Sequence, residues 1–151
     1  EINTAKASKF TYETTDKLNA LFESISKLDT HELKIGLCID TAHLYACGMA
    51  LTSYEDATKW LEQLPKVPIM LHLNDSASTL GSGVDRHEIL TLGNLWSMYN
   101  QDNGHLPIED SGLVAILNWV ESSNISVILE RDESGVDKDL LLIHSLGYFQ
   151  D

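Results

Sequence analysis

Apolar residues follow two different periods along this chain. Leu18, Leu21, Phe22, Ile25 and Leu28 recur at spacings of three and four, which predicts an amphipathic helix over residues 15–28. KIGLCID (34–40), IMLHLND (69–75) and ISVILE (125–130) are instead short continuous apolar runs. Runs of that length predict strands buried on both faces. Ser53 and Asp56 stand at capping-box spacing before Ala57, Trp60, Leu61 and Leu64, which predicts a second helix. Leu113, Ile116, Leu117 and Val120 mark a third helix, and DLLLIHSLGYF (139–149) a last one. A long loop is expected from the end of the 69–75 strand to about residue 108.

Buried strands alternating with helices predict a parallel sheet covered by helices, an α/β fold. A doubly wound sheet and a (β/α)₈ TIM barrel both fit this alternation. A complete barrel takes about 250 residues, and the chain has 151. It is therefore expected to form a single domain over 1–151. That domain is either a small open sheet or one half of a barrel.

Composition narrows the class further. A hydrophobic content of 43% and a charged content of 22% suit an ordinary globular protein. No apolar run approaches the ~20 residues of a membrane span, and no basic, apolar, small-residue leader opens the chain. EINTAK begins without methionine, so a processed or cut piece is expected. Ten Lys and Arg against 23 Asp and Glu give a net charge of −13. That balance argues against a basic-groove nucleic-acid binder, although bound cations would invert the local field. Cys38 and Cys47, with no CxxC spacing, suit buried thiols in a reducing compartment.

The chemistry gathers at the strand ends. Asp40 closes the first apolar run, His72 and Asp75 lie at the end of the second, and Glu130 closes the third. Ligand and catalytic sites of parallel α/β folds lie beyond the carboxyl ends of the strands. The segments beyond add His43 and the triplet Asp85-Arg86-His87, the latter in the core-poor stretch HLNDSASTLGSGVDRHE (72–88). Imidazoles and carboxylates together suit zinc, manganese or iron. There are too many for one tetrahedral ion, so a cluster of two or three metals is expected, and the loop is expected to carry ligands. Taken alone, Asp40 or Asp75 would sooner be a helix cap or a loop acceptor. His72 and Glu130 end apolar runs, where a buried imidazole or carboxylate needs a partner. His31, His105 and His144 are read as structural or solvated, and Gly81 and Gly83 as turn residues. Trp60 and Trp119 are read as core, while Trp96 and Tyr99 could be either core or base-stacking platforms.

At GLCIDTAH and at HLND followed by GSGVDRH, the chain resembles the endonuclease IV family of apurinic/apyrimidinic (AP) endonucleases. The resemblance runs from EINTA through VILER and covers roughly the second half of that family's (β/α)₈ barrel. GLCIDTAH, GSGVDRH and ILER are most similar to the branch found in large DNA viruses. The resemblance implies three zinc ions in a complete enzyme. His43, Asp85 and His87 would hold one, and Asp40, His72 and Glu130 a second, these last three being also the catalytic set. Ligands for the third would come mainly from the other half of the barrel. A glutamate bridging two zincs falls within EINTA. Glu1 is the acid there, but alignment on the later Thr-Tyr puts the position nearer Asn3, and the register stays open. Arg86, between two ligands, would touch a DNA phosphate.

The activity implied is hydrolysis of the phosphodiester 5′ to an abasic site in double-stranded DNA, leaving a 3′ hydroxyl, as in base excision repair. The baseless sugar is cheap to flip out because it has little stacking to lose. Expected with it are an intracellular, reducing location (nucleus, cytoplasm or viral factory), no membrane, and a monomer at full length. A metal-dependent sugar isomerase or epimerase on a similar barrel, and a non-catalytic fragment, are the alternatives. The Asp85-x-His87 pair, which adds ligands for a further metal, favours the nuclease. The 151 residues alone are expected to be inactive or weakly active.

Overall fold

A computed structural model describes residues 1–2, 12–28, 33–97 and 107–150. The apolar runs become three parallel strands, β1 (Leu37–Asp40), β2 (Ile69–His72) and β5 (Ser126–Ile128), in the spatial order β1-β2-β5. Each crossover carries helix: α2 (Thr41–Ala46) and α3 (Tyr54–Glu62) lead from β1 to β2, and α4 (Gly112–Ser123) precedes β5. Helix α1 (Thr15–Ser26) comes before the sheet and α5 (Glu133–Ser145) follows it. The α/β class with a parallel sheet is as the sequence pattern indicates.

The helices start where short polar side chains can accept the first free amides. Thr14, Ser53, Ser111 and Asp132 accept from the backbone N–H of Lys17, Asp56, Val114 and Gly135 at the starts of α1, α3, α4 and α5. Helix α4 stops at Asn124, whose φ of 52° lies in the left-handed region that Asn tolerates better than most residues.

Strand register sorts the side chains into two faces. Ile39 pairs with Leu71 and Leu71 with Val127, so these three share one face. Ile39 and Leu71 are buried there, in one core with Trp60 and Leu61 of α3 and Leu113, Ile116 and Leu117 of α4. Cys38, Met70 and Ser126 share the other face, as do Asp40, His72 and Ile128. Met70 is 38% exposed and Ile128 41% exposed, so this second face is not closed by the described residues. Strands buried on both faces were expected from the apolar runs, and here one face is partly open.

Other differences are local. The 69–75 run stops pairing with the sheet at His72, and Asp75–Ser76 (β3) leaves it to pair antiparallel with His87–Glu88 (β4). Helix α2 carries too few residues for a periodic signal. The third strand is Ser126–Ile128, so Glu130 lies two residues beyond it. Helix α5 begins at Glu133, because Asp132 caps it well before the apolar run at 139. Leu28 is 65% exposed and adds nothing to the α1 face. The expected long loop is more built than its composition suggests. After β4 it buries Leu90, Leu95 and Trp96, and it makes a 3₁₀ turn at Ile108–Asp110. Trp96 is a core residue, 3% exposed, with its indole N–H donated to the Leu51 carbonyl. Trp60 is also core, and Trp119 is partly buried against it. Tyr99, His31 and His105 fall outside the described residues.

Candidate metal centre

Parallel strands point their carboxyl ends the same way, and that alone brings Asp40 beside His72. Asp40 then serves as N-cap of α2, its Oδ1 accepting the His43 backbone N–H at 3.0 Å. The first helical turn thereby carries the His43 side chain back over the strand ends. The β3–β4 pairing sets Ser76 opposite His87, which returns the Asp85–His87 segment to the same end of the sheet.

The candidate residues meet in two groups that share Asp40. Ligand atoms of Asp40, His72 and Glu130 lie within 4.8 Å of one another, and so do those of Asp40, His43 and His87. His72 Nδ1 is 3.2 Å from Glu130 Oε2 and 3.8 Å from Asp40 Oδ2. His87 Nε2 is 3.5 Å from Asp40 Oδ2 and 3.1 Å from Asp85 Oδ1, while His43 Nε2 is 3.1 Å from Asp85 Oδ2. Asp85 thus spans two imidazoles, one with each oxygen. The Glu1 carboxylate lies between the groups, 3.4 Å from His72 Nδ1 and 3.6 Å from His43 Nδ1. Asn3, the other candidate for that position, is outside the described residues. Cys38 was read as a plain buried thiol, yet its sulfur joins Glu1 and His72 in a third such group.

The electrostatics of these contacts point to a cation. His43 Nδ1 is 2.8 Å from the Ile2 carbonyl, which can only accept. Neutral His43 therefore keeps its proton at Nδ1 and turns a bare lone pair at Nε2 towards Asp85. That approach is repulsive unless a proton or a metal ion sits between them. Burial pushes the His43 pKa down, but Asp40, the Ile2 carbonyl and Asp85 more than offset it and hold the imidazole above its ordinary value. Burial raises Asp40, against the pull of His43 and His87. His72 Nδ1 and His87 Nε2 are buried and make no hydrogen bond, although carboxylate oxygens surround both. Imidazole nitrogens and carboxylate oxygens that face one another without a hydrogen bond have the arrangement that co-ligands of a cation would need.

Two supporting residues lay inside the motifs without a role read from the sequence. Asn74 is fully buried, and its Nδ2 donates to Asp40 Oδ2 at 2.8 Å and to Glu130 Oε2 at 3.2 Å. Its Oδ1 accepts the Glu130 backbone N–H at 3.3 Å. The Thr41 hydroxyl donates to the Asn74 carbonyl at 2.6 Å and accepts the Asn74 amide at 2.9 Å, locking the start of α2 to the end of β2. Their adjacency to Asp40 and Asp75 was the available signal. It is indirect, because a neutral side chain announces no chemistry in one sequence.

Asp75 does not join the ligand groups. It is fully buried and accepts from the amides of Ser76, Thr91, Gly93 and Leu95, so the loop-acceptor reading is the right one for it. Arg86 is exposed between the two loop ligands. Gly81 and Gly83, at φ 69° and 65°, are turn residues whose amides donate to the carbonyls of Tyr45 and Ala46. His144 is exposed in the last turn of α5. A concavity of about 600 Å³ between α3 and α4, lined by Tyr54, Leu61, Asn118 and Trp119, includes none of the candidate ligands.

No family model matches the chain. Individual proteins do. The chain is 37% identical over 134 residues, 84% of its length, to a protein of African swine fever virus named "Probable AP endonuclease". It is 34% identical over 99 residues to "Probable endonuclease 4" of Buchnera aphidicola, covering 58% of the chain and 35% of that relative. The crystal structure described as AsfvAP:AG superposes with a TM-score of 0.80 at 32% identity, covering 95% of this chain and 50% of that one. Endonuclease IV from Thermus thermophilus superposes at 0.63 with 25% identity, covering 95% and 47%. The chain spans 43% of the viral relative, about half the length of the proteins it matches. Over that span the chain is a homologue of the endonuclease IV family of AP endonucleases.

Proposed function

We propose that the full-length protein to which this chain belongs is a zinc-dependent AP endonuclease, cutting double-stranded DNA on the 5′ side of an abasic site. The observation that carries this reading is the acid–imidazole cluster at the strand ends. Two of its buried ring nitrogens, on His72 and His87, face carboxylates without a hydrogen bond. The donors are nitrogen and oxygen, the mixture that suits zinc.

Asp40, His72 and Glu130 would hold one ion, and His43, Asp85 and His87 another. Glu1, 3.4 Å from His72 Nδ1, would join the first; it meets His43 at Nδ1, not at the nitrogen left free to ligate. When bound, zinc offsets phosphate charge and makes water a stronger nucleophile at neutral pH. The chain's own residues set the geometry for that chemistry. The Ile2 carbonyl fixes the His43 tautomer with Nε2 free to ligate. Asn74 keeps Asp40 and Glu130 in register despite their like charge. Arg86, exposed beside the cluster, contacts the DNA backbone. A net charge of −13 is compatible with a DNA substrate only because metal cations supply the local positive field.

The same reading takes residues 1–151 as one domain, the C-terminal half of a (β/α)₈ barrel. It is supported by the 95% coverage of this chain against 50% of the AsfvAP chain, and by the partly open sheet face at Met70 and Ile128. The third zinc then draws its remaining ligands from the other half. The complete enzyme is an intracellular monomer, and no described helix is long and apolar enough to cross a membrane.

The test is incision of a labelled duplex carrying one abasic-site analogue. It uses the full-length protein before and after zinc removal, beside His87→Ala. A zinc-dependent nick immediately 5′ of the lesion, lost in the variant, is the expected result. Zinc binding without a nick would leave the sugar isomerase as the better reading.

A further inference from the structure

Two ligand-bearing segments of the proposed centre come from parts of the chain far apart in sequence, β4 with His87 and the segment just after β5 with Glu130. Strand β4 is two residues long and, among the described residues, pairs only with the two-residue β3. Such a ladder is too short to fix a side chain by itself. Something else must set His87 against Glu130.

We infer that Arg131, anchored by Asp139 of α5, is the positioning residue that does so. Arg131 follows Glu130 directly, and its side chain is 6% exposed. One guanidinium nitrogen, Nη2, donates to the carbonyl of Glu88, the residue after His87. Another, Nη1, donates to the Glu130 carbonyl at 3.2 Å. The third, Nε, lies 3.2 Å from Oδ2 of Asp139, which is fully buried. Asp139 Oδ1 accepts the Leu90 amide at 2.8 Å, so the pair grips the chain on both sides of Ile89. A single planar cation therefore ties the backbone of both ligand segments to one helix. Two N–H groups of the planar fork hold the two carbonyls while its charge pairs with Asp139, a division that the point charge of a lysine cannot reproduce. No residue of the pair ligates, so the effect on metal passes through the position of His87 relative to Glu130.

The inference rests on the metal-centre reading and is tested by zinc titration calorimetry on the full-length protein. Arg131→Lys retains the charge opposite Asp139 but loses the fork. It is expected to keep the fold, judged by circular dichroism, and to weaken zinc binding about 10- to 100-fold, the range of other outer-layer ligand supports. Cobalt substituted for zinc should show a shifted visible spectrum in the same variant. In a His87→Ala background, the Arg131→Lys change should have no further effect on the affinity that remains. Arg131→Met serves as a second variant should lysine prove too well tolerated, since it fills similar space with no donor at all. Unchanged zinc affinity in both variants, or an equal loss with and without His87, would overturn the positioning role while leaving the metal centre standing. A wild-type protein that took up no zinc would overturn both.

Discussion

The side-chain amide of Asn74 donates to Asp40 Oδ2 at 2.8 Å, and neither residue is exposed to solvent. The same nitrogen reaches Glu130, so one neutral group separates two carboxylates that would otherwise repel. Asn74→Ala leaves both short of a donor. A buried polar group without its partner costs about 1–3 kcal/mol, and loss of an outer support lowers metal affinity about 10- to 100-fold. Asn74→Asp should be worse for the metal-free fold, because a third carboxylate enters the same space. Chemical denaturation and zinc titration of the two variants check this; equal stability of all three proteins would refute it.

How far the sequence reaches can be judged from Asp40 and Asp75. Both follow apolar runs, both are fully buried, and a single sequence gives them equal claims. Asp40 turns one oxygen to a helix amide and the other to the imidazoles. Asp75 spends both oxygens on amides of its own loop. What separates them is register: β1 and β2 pair in parallel as far as Asp40 and His72, whereas β3 has already left the sheet. Pairing partners are a long-range property and leave no local pattern. The helices and parallel strands were legible because burial imposes a period. Asn74 was not, because a neutral amide announces no chemistry, and Arg131 was not, because two of its three contacts are to backbone carbonyls that any residue could supply.

The fourfold role of Asp75 makes a second prediction. Asn at this position would turn its amide group towards two of the four backbone donors, leaving them unpaired. Asp75→Asn is expected to cost about 2 kcal/mol or more. Gly93→Ala should act on the same cradle, since a Cβ there would meet the Ser76 carbonyl oxygen at 2.6 Å and collide with the Asp75 carboxylate. Urea melts measure both. A change under about 0.5 kcal/mol for either, the range of ordinary surface substitutions, would show that the loop does not depend on this carboxylate.

Arg86 differs from its neighbours in what it should change. It is exposed and its guanidinium offers no metal-ligating lone pair, so Arg86→Gln should leave zinc content intact. If its guanidinium neutralises one phosphate, the slope of log affinity for abasic DNA against log salt should fall by about 0.9. Binding at several salt concentrations gives that slope directly. A parallel line displaced downwards would mean that Arg86 acts on the site and not on the backbone of the DNA.

Acidity and metal content should be coupled in a definite direction. Asp40, Asp75 and Asp139 are all raised above the ordinary carboxylate value of 3.8, in each case first by burial. For His43 burial is the largest single influence and acts downwards, but Asp40, the Ile2 carbonyl and Asp85 together leave it above 6.5. A group raised on folding stabilises the fold while it is protonated. The carboxyl contributions are complete below pH 3.8 and are lost as pH rises through the folded values; that of His43 is complete below 6.5 and lost above it. Metal-free protein should therefore lose stability as pH rises above 3.8, and again as it rises above 6.5. Of these groups Asp40 and His43 are the candidate ligands, and zinc accepts them only without their protons, so its binding strengthens as pH rises. The expected outcome is a melting temperature that declines with pH in stripped protein, and a zinc-induced increase that grows with it. His43→Gln should flatten both trends. A zinc increment that is constant across the range would mean that these groups are not the ones the metal displaces protons from.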